Sequence, residues 1–202
     1  MTKEPSGTIR MAAPSDTEML LAIYNPYITD TTITFEYEPL PTEVFQKRLE
    51  TVLEHFPWLV YEENGQILGY AYASPFHERA AYSWDCDLSI YLSQNCQGQG
   101  IGEKLLSALE LLLKEQGYYN IYSLITDPNP SSVAFHKKHG FTEEGLHQNT
   151  GYKFGQWLGV RLMVKKIGDF TKSPTPIKNI HEIPYKELLK AIPYASNKSP
   201  DR

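Results

Sequence analysis

Three glycines at alternate positions, Gly98, Gly100 and Gly102, stand in the run Gln97-Gly98-Gln99-Gly100-Ile101-Gly102. They leave backbone N–H groups uncovered by side chains, and the Leu-rich helical pattern that follows puts them at a helix N-terminus. Exposed donors and the helix dipole both favour negative charge there, so the turn is a preformed anion site. Its register excludes two nucleotide loops. A dinucleotide fingerprint needs glycine at position 103, which is Glu103. A P-loop needs Gly-Lys-Ser/Thr, where this chain reads Gly102-Glu103-Lys104. Just upstream, Asp85 and Asp87 alternate along a predicted strand and share a face. Two carboxylates on one face raise one pKa by mutual repulsion.

The bulk properties bound what surrounds these groups. The chain has 202 residues, 41% hydrophobic and 12% aromatic, enough for one domain with a sizeable core. Net charge is −5, and the densest basic runs are the pairs Lys137-Lys138 and Lys165-Lys166. Neither nucleic acid nor an anionic membrane is an expected partner. The N-terminal MTKEPSGTIRMAAPSD lacks the apolar stretch of a signal peptide, and no apolar run approaches a membrane span. Cys86 and Cys96 fit neither a disulfide framework nor a metal-ligand spacing, so no metal site is expected. Two free thiols fit a reducing compartment, and cytoplasm is the expected location.

Patterning predicts the elements that position the turn. A short strand at Ile9–Ala12 precedes a helix opened by a Ser15–Glu18 capping box and stopped at Tyr24 by Asn25-Pro26. A loop from Thr29 leads toward a strand by Phe35, and a second helix runs from Pro41 to His55. Strands at Trp58–Tyr61 and Ile67–Ala73 are joined by the Asn64-Gly65 turn. After the polar loop Ser74–Ala81 comes a long strand, Tyr82–Leu92, then the glycine turn and a helix to Gln116 that Gly117 terminates. A strand Tyr118–Thr126, a short helix capped by Ser131 or Ser132, and strands at Thr142–Leu146 and Trp157–Lys165 complete the order. Strands and helices thus mix in an α/β order around one sheet. From Asp169 onward Pro174, Pro176, Pro184, Pro193 and Pro200 break the chain into an extension with one helix, Tyr185–Ile192, and too few apolar residues for its own core. The expected division is 1–168 and 169–202.

Gln97-x-x-Gly100-x-Gly102 before a Leu-Leu helix resembles the acetyl-coenzyme A pyrophosphate loop of the GNAT family of N-acetyltransferases. Asn129-Pro130-Ser131-Ser132 through His139-Gly140-Phe141 is similar to that family's second signature, in the right order and at the usual separation. Thr31–Phe35 with Glu38-Pro39, Phe56-Pro57-Trp58-Leu59-Val60, Arg79–Trp84 and Gly155-Gln156-Trp157 resemble the phosphinothricin acetyltransferase branch. The matches cover about residues 9 to 167. The resemblance implies an α/β (α+β) GNAT fold: a single mixed, mostly antiparallel sheet with splayed central strands, flanked by helices.

The resemblance implies an N-acetyltransferase that uses acetyl-coenzyme A and no metal, acting on a small amino-acid-like amine in a ternary complex. Backbone amides of Gln99, Gly100, Ile101 and Gly102 would hold the pyrophosphate, with Gly98 allowing close approach and Gln97 orienting the turn. Ile90, Tyr91 and Leu92 would offer backbone groups to the pantetheine arm and an oxyanion donor, and Asn129 and Ser132 would complete the cofactor site. Asp87 stands where this branch carries a glutamate and is the candidate base, one methylene shorter, with Asp85 able to share the role. His136 is the candidate proton donor to the leaving thiolate. Arg79 is the candidate clamp for a substrate carboxylate, with Tyr82 and Phe35 as pocket walls beside Trp84 and Tyr152. A homodimer is implied by family analogy. Two other readings stay open: another acceptor, such as a polyamine or a protein N-terminus, and a non-catalytic acetyl-coenzyme A binding module.

Overall fold

A computed structural model of the chain describes residues 7–192. Seven strands form one sheet in the order β1-β2-β3-β4-β5-β7-β6. They are β1 (Thr8–Met11), β2 (Trp58–Glu63), β3 (Gln66–Pro75), β4 (Asp85–Leu92), β5 (Asn120–Asp127), β6 (Thr142–Lys153) and β7 (Gln156–Lys166). Only β4 and β5 pair in parallel; every other neighbour is antiparallel. This is the mixed, mostly antiparallel sheet that the signatures imply.

Alternation along each strand assigns the two faces. On one face α3 (Ile101–Gln116) buries Leu105, Leu106, Leu109, Leu112 and Leu113 against Leu59, Ala71, Cys86, Leu88 and Ile121. On the other, α1 (Thr17–Asp30) and α2 (Thr42–Leu53) bury Leu20, Ile28, Phe45 and Leu49 against Trp58, Val60 and Tyr70. The β2–β3 hairpin turns as expected, with Asn64 and Gly65 at φ 53° and 75°.

Several boundaries differ from the sequence expectation, each for a packing reason. Helix α1 continues through Pro26 to Asp30, because burial of Tyr27 and Ile28 outweighs the one backbone bond that proline removes. Its entry uses Asp16 in place of the Ser15–Glu18 box: the Asp16 carboxylate accepts from the Ala13 N–H at 2.8 Å and pairs with Arg10. No strand forms by Phe35, and residues 80–82 make a 3₁₀ turn, so β4 starts at Asp85. Asn129, rather than either serine, caps α4 (Pro130–Lys138). The loop expected between the last two strands is paired as hairpin β6–β7, closed at Phe154-Gly155 (φ 50° and 76°).

Among the described residues, the Pro-rich C-terminal segment lies against the rest of the chain. Gln116 Nε2 donates to the carbonyls of His55 and Lys178 at 2.9 and 3.0 Å, and Asn179 Nδ2 donates to the Glu54 carbonyl at 2.7 Å. Trp84 Nε1 donates to the Thr175 carbonyl at 2.7 Å, tying the extension to the chain just before β4. Ile180 and Ile183 are buried in the α3 core, and α5 (Tyr185–Ala191) packs on α3 and β1. The expected helix is present; Pro193 and Pro200 lie outside the described residues.

Candidate active site

Strands β4 and β5 pair over three rungs only, Asp85 with Asn120, Cys86 with Ile121 and Asp87 with Tyr122. Beyond Asp87, β4 stays with β3 and β5 stays with β7, so the strands part. The gap is a cavity of about 330 Å³ whose walls include Ile90, Leu92, Gly98, Gly102, Asn129 and His136. The Ser93 N–H bonds to Leu68 of β3, whereas the Leu92 backbone bonds to the Tyr27 hydroxyl. Backbone direction alternates along an antiparallel strand, so Ile90, in phase with Leu92 and past the last rung with β5, aims its N–H and C=O away from β3 into the cleft. Tyr91 and Ser89 bond toward β3.

The glycine turn closes one end of that cleft. Gly98 and Gly100 hold φ 75° and 78°, a left-handed conformation that glycine adopts without strain, and Gly100 immediately precedes α3. The first N–H groups of a helix have no intrahelical partner. Ile101 is fully buried and anchors the turn in the core. The side chains of Gln97 and Gln99 bond within the turn, to Gln94 Oε1 at 3.2 Å and the Asn95 carbonyl at 3.1 Å. Asn129 Oδ1 accepts from the Ser132 N–H at 3.1 Å and the Ser131 hydroxyl at 3.0 Å, which leaves its amide N–H₂ for a ligand. An unpaired strand edge beside a cradle of N–H donors fits the pantetheine arm and pyrophosphate of acetyl-coenzyme A. Sequence reasoning missed Tyr27, Ser131 and Phe135 in this wall. Tyr27 lies past Pro26, where sequence pattern ends the helix, and it is the continuation of α1 to Asp30 that carries it to the cleft.

Asp87 lies on the last rung before β4 and β5 part, one residue before Leu88 of the cavity wall. Its Oδ1 is buried without a hydrogen-bond partner, and burial pushes the carboxyl up to about 7. The expected mutual repulsion with Asp85 is replaced by this desolvation. Asp85 shares the face but accepts from Asn120 Nδ2 at 2.7 Å and lines a different, lower cavity at the other end of β4 from the glycine turn. His136 is buried; its Nδ1 sits 2.8 Å from the Ser132 carbonyl, which can only accept, so Nδ1 carries the proton. Nε2 is then a bare lone pair, buried without a partner, and burial lowers the imidazole's pKa.

The remaining candidates are dispersed. Arg79 is exposed and lines the lower cavity, of about 820 Å³, together with Asp85, Glu78, Tyr82 and Glu182. Tyr82 packs edge-on against His77 at 4.8 Å, and Trp84 is engaged with the extension. Phe35 fills the space above Gly151 of β6, where an added Cβ would come within 2.2 Å of its ring. Among the described residues no group of three or more His, Cys, Asp or Glu could hold a metal ion. No described helix is long and apolar enough to cross a membrane.

Residues 9–160 match the acetyltransferase (GNAT) domain family. The chain belongs to the GNAT acetyltransferases. It is similar to a phosphinothricin N-acetyltransferase of Streptomyces viridochromogenes, 32% identical over 175 residues that cover 87% of this chain and 95% of the relative. An L-methionine sulfoximine/L-methionine sulfone acetyltransferase of Pseudomonas aeruginosa is 29% identical over 84% of this chain and 99% of its own. Among solved structures, a phosphinothricin acetyltransferase from Sinorhizobium meliloti in complex with acetyl-coenzyme A superposes with a TM-score of 0.80 at 34% identity, covering 84% of this chain and 94% of that one. This GNAT chain is an enzyme that transfers acetyl from acetyl-coenzyme A to an amine.

Proposed function

We propose that the acceptor is a small amino acid of the phosphinothricin or methionine sulfoximine kind, and that Asp87 is the base. The named activities of the relatives support the acceptor class. The observation that carries the site is the unpartnered, desolvated Asp87 carboxyl at the point where β4 and β5 part. A carboxylate near pKa 7 is half-ionised at neutral pH and able to take a proton from an ammonium.

The proton count assigns the other groups. Going from ammonium to amide, the nitrogen loses two protons while one C–N bond forms and the C–S bond breaks. Asp87 takes the first proton, freeing the lone pair to attack the thioester carbonyl. The Ile90 N–H, aimed into the cleft, stabilises the oxyanion. The bare Nε2 of His136 takes the second proton and returns it to the leaving thiolate. His136 is thus an acceptor before it is a donor. Both cysteines are buried, consistent with direct transfer and no acyl-enzyme.

Arg79, Tyr82 and Phe35 are the sequence-derived candidates for acceptor contacts, and Asp85 for a supporting role. One feature favours the polyamine alternative: Glu78, Asp85 and Glu182 share the lower cavity with Arg79. In this reading the chain divides into a domain, 1–168, and an extension, 169–202, and the contacts of Lys178, Asn179, Ile180 and Ile183 with the domain support the two acting as one body. The exposed Tyr152, Phe154 and Trp157 at the β6–β7 tip, with Tyr37 beside them, support a homodimer interface. Two free thiols support a cytoplasmic location.

Thiol release on a panel of amines tests the reading. Phosphinothricin and methionine sulfoximine are expected to turn over at least tenfold faster, in kcat/KM, than spermidine or an N-terminal peptide. Turnover confined to the polyamine, or acetyl-coenzyme A binding with no turnover on any amine, would contradict it.

A further inference from the structure

We infer that Arg48, on α2, holds the acid group of the acceptor and makes the enzyme discriminate amino acids from plain amines. This deepens the acceptor assignment above and rests on it. The sequence pointed to Arg79, but that side chain is exposed among Glu78, Asp85 and Glu182, an acidic setting for an anion. In sequence, Arg48 is one of several polar residues on the α2 helix pattern, and nothing local sets it apart.

Its surroundings are those of a built site. Arg48 Nη2 bonds to Glu36 Oε1 at 2.7 Å, and the guanidinium carbon lies 6.0 Å from the Phe45 ring centroid. One edge of the fork is therefore fixed. Among the described residues, no other hydrogen bond engages the guanidinium, and the side chain is 35% exposed, so its remaining N–H donors are uncommitted and the side chain is within reach of solvent. A guanidinium held at one edge presents its other donors in a fixed plane suited to a carboxylate or another oxyanion. A lone surface ion pair would be worth little, whereas this one orients a donor array.

Arg48 and Asp87 lie on the same side of the sheet. Tyr72 links them: its ring stacks on Trp58 at 4.1 Å, it is paired with Ser89 two residues from Asp87, and its hydroxyl senses the charges of Arg48, Glu36 and Asp87. Lys153, 1% exposed, donates to the Thr34 carbonyl at 2.7 Å; burial lowers its pKa, and the nearby Glu36 charge partly offsets that. Arg48 and Lys153 are thus the cations grouped around Glu36, with Asp87 on the same side of the sheet as Arg48. A zwitterion, amine toward Asp87 and acid toward Arg48, meets opposite charges at both ends. A polyamine would bring positive charge toward Arg48.

The test uses the full chain and two acceptors that differ only in the acid: methionine sulfone and its decarboxylated counterpart, 3-(methylsulfonyl)propylamine. In the wild type, kcat/KM is expected to favour methionine sulfone by at least tenfold. Arg48→Met should lower kcat/KM for the sulfone at least thirtyfold, mainly through KM, and change the decarboxylated amine less than threefold. Arg48→Lys, which keeps a cation on a similar stem, should recover part of the loss and guards against a folding defect in the methionine variant. Arg79→Ala should leave the preference in place. Equal loss on both acceptors in the folded lysine variant would make Arg48 a structural residue, and loss of the preference in Arg79→Ala would return the role to that residue. Wild-type turnover of neither acceptor would instead remove the amino-acid reading itself.

Discussion

Asp87 and Tyr122 form the last rung shared by β4 and β5. One residue further along, at Leu88, the cavity between the strands begins, while Asp87 itself stays on the paired part of the sheet, between β3 and β5. That position explains both the missing partner on Oδ1 and the pKa near 7.

A stability prediction follows from the sign of this shift. The folded pKa lies above the unfolded value of about 3.9, so the fold favours the neutral acid. Its contribution to stability is fully present below pH 4 and is lost as pH rises through 7. Asp87→Asn is therefore expected to be more stable than wild type at pH 8, by up to about 4 kcal/mol at roughly 1.4 kcal/mol per pKa unit, with little difference at pH 4. Urea unfolding at the two pH values measures it, and equal differences at both would count against a desolvated carboxyl.

The same group sets an activity limb. The logarithm of kcat/KM should rise with slope one up to about pH 7 and then level. A limb near pH 4 would indicate a solvated carboxylate.

His136 acts through a bare Nε2 held in place by the Nδ1–H bond to Ser132. His136→Phe keeps the edge-on packing against Phe141 but removes the proton acceptor. A fall in kcat of about 10²-fold with unchanged affinity for acetyl-coenzyme A is expected, from the usual size of an acid–base contribution. Isothermal titration alongside steady-state kinetics separates the two quantities; a fall in affinity alone would make the residue a packing element.

At the glycine turn, Gly100→Ala meets no atom within 4 Å, so its effect isolates the backbone. Holding alanine at φ near 78° costs about 1–2 kcal/mol. The prediction is a five- to thirtyfold weaker binding of acetyl-coenzyme A as the turn relaxes, with the acceptor KM unchanged.

Much of this arrangement could be read from sequence, and the exceptions have one cause. Gly98, Gly100 and the Leu stripe of α3 report local requirements, a left-handed turn and a helix period, so residue type alone reveals them. The succession of strands and helices along the chain and the Asn64-Gly65 hairpin are legible for the same reason. Tyr27, Arg48 and the separation of Asp85 from Asp87 depend on contacts between segments far apart in the chain. Nothing local marks Asn120 as the partner that occupies Asp85, or Leu92 as the partner of Tyr27. The extension shows the same limit: Pro-rich composition suggested a loose tail, yet Ile180 is fully buried and Asn179 bonds the end of α2. Ile180→Ala is expected to destabilise the whole protein by about 2–4 kcal/mol in a single unfolding transition. A separate early transition would mean that the extension folds apart from the domain.

The most direct measurement is thiol release by Asp87→Ala with methionine sulfoximine as acceptor, paired with acetyl-coenzyme A binding by titration calorimetry. The expected result is a kcat at least 10²-fold below wild type with cofactor affinity within twofold, because the carboxyl lies beyond the cofactor cleft. Turnover at the wild-type rate would contradict Asp87 as the base.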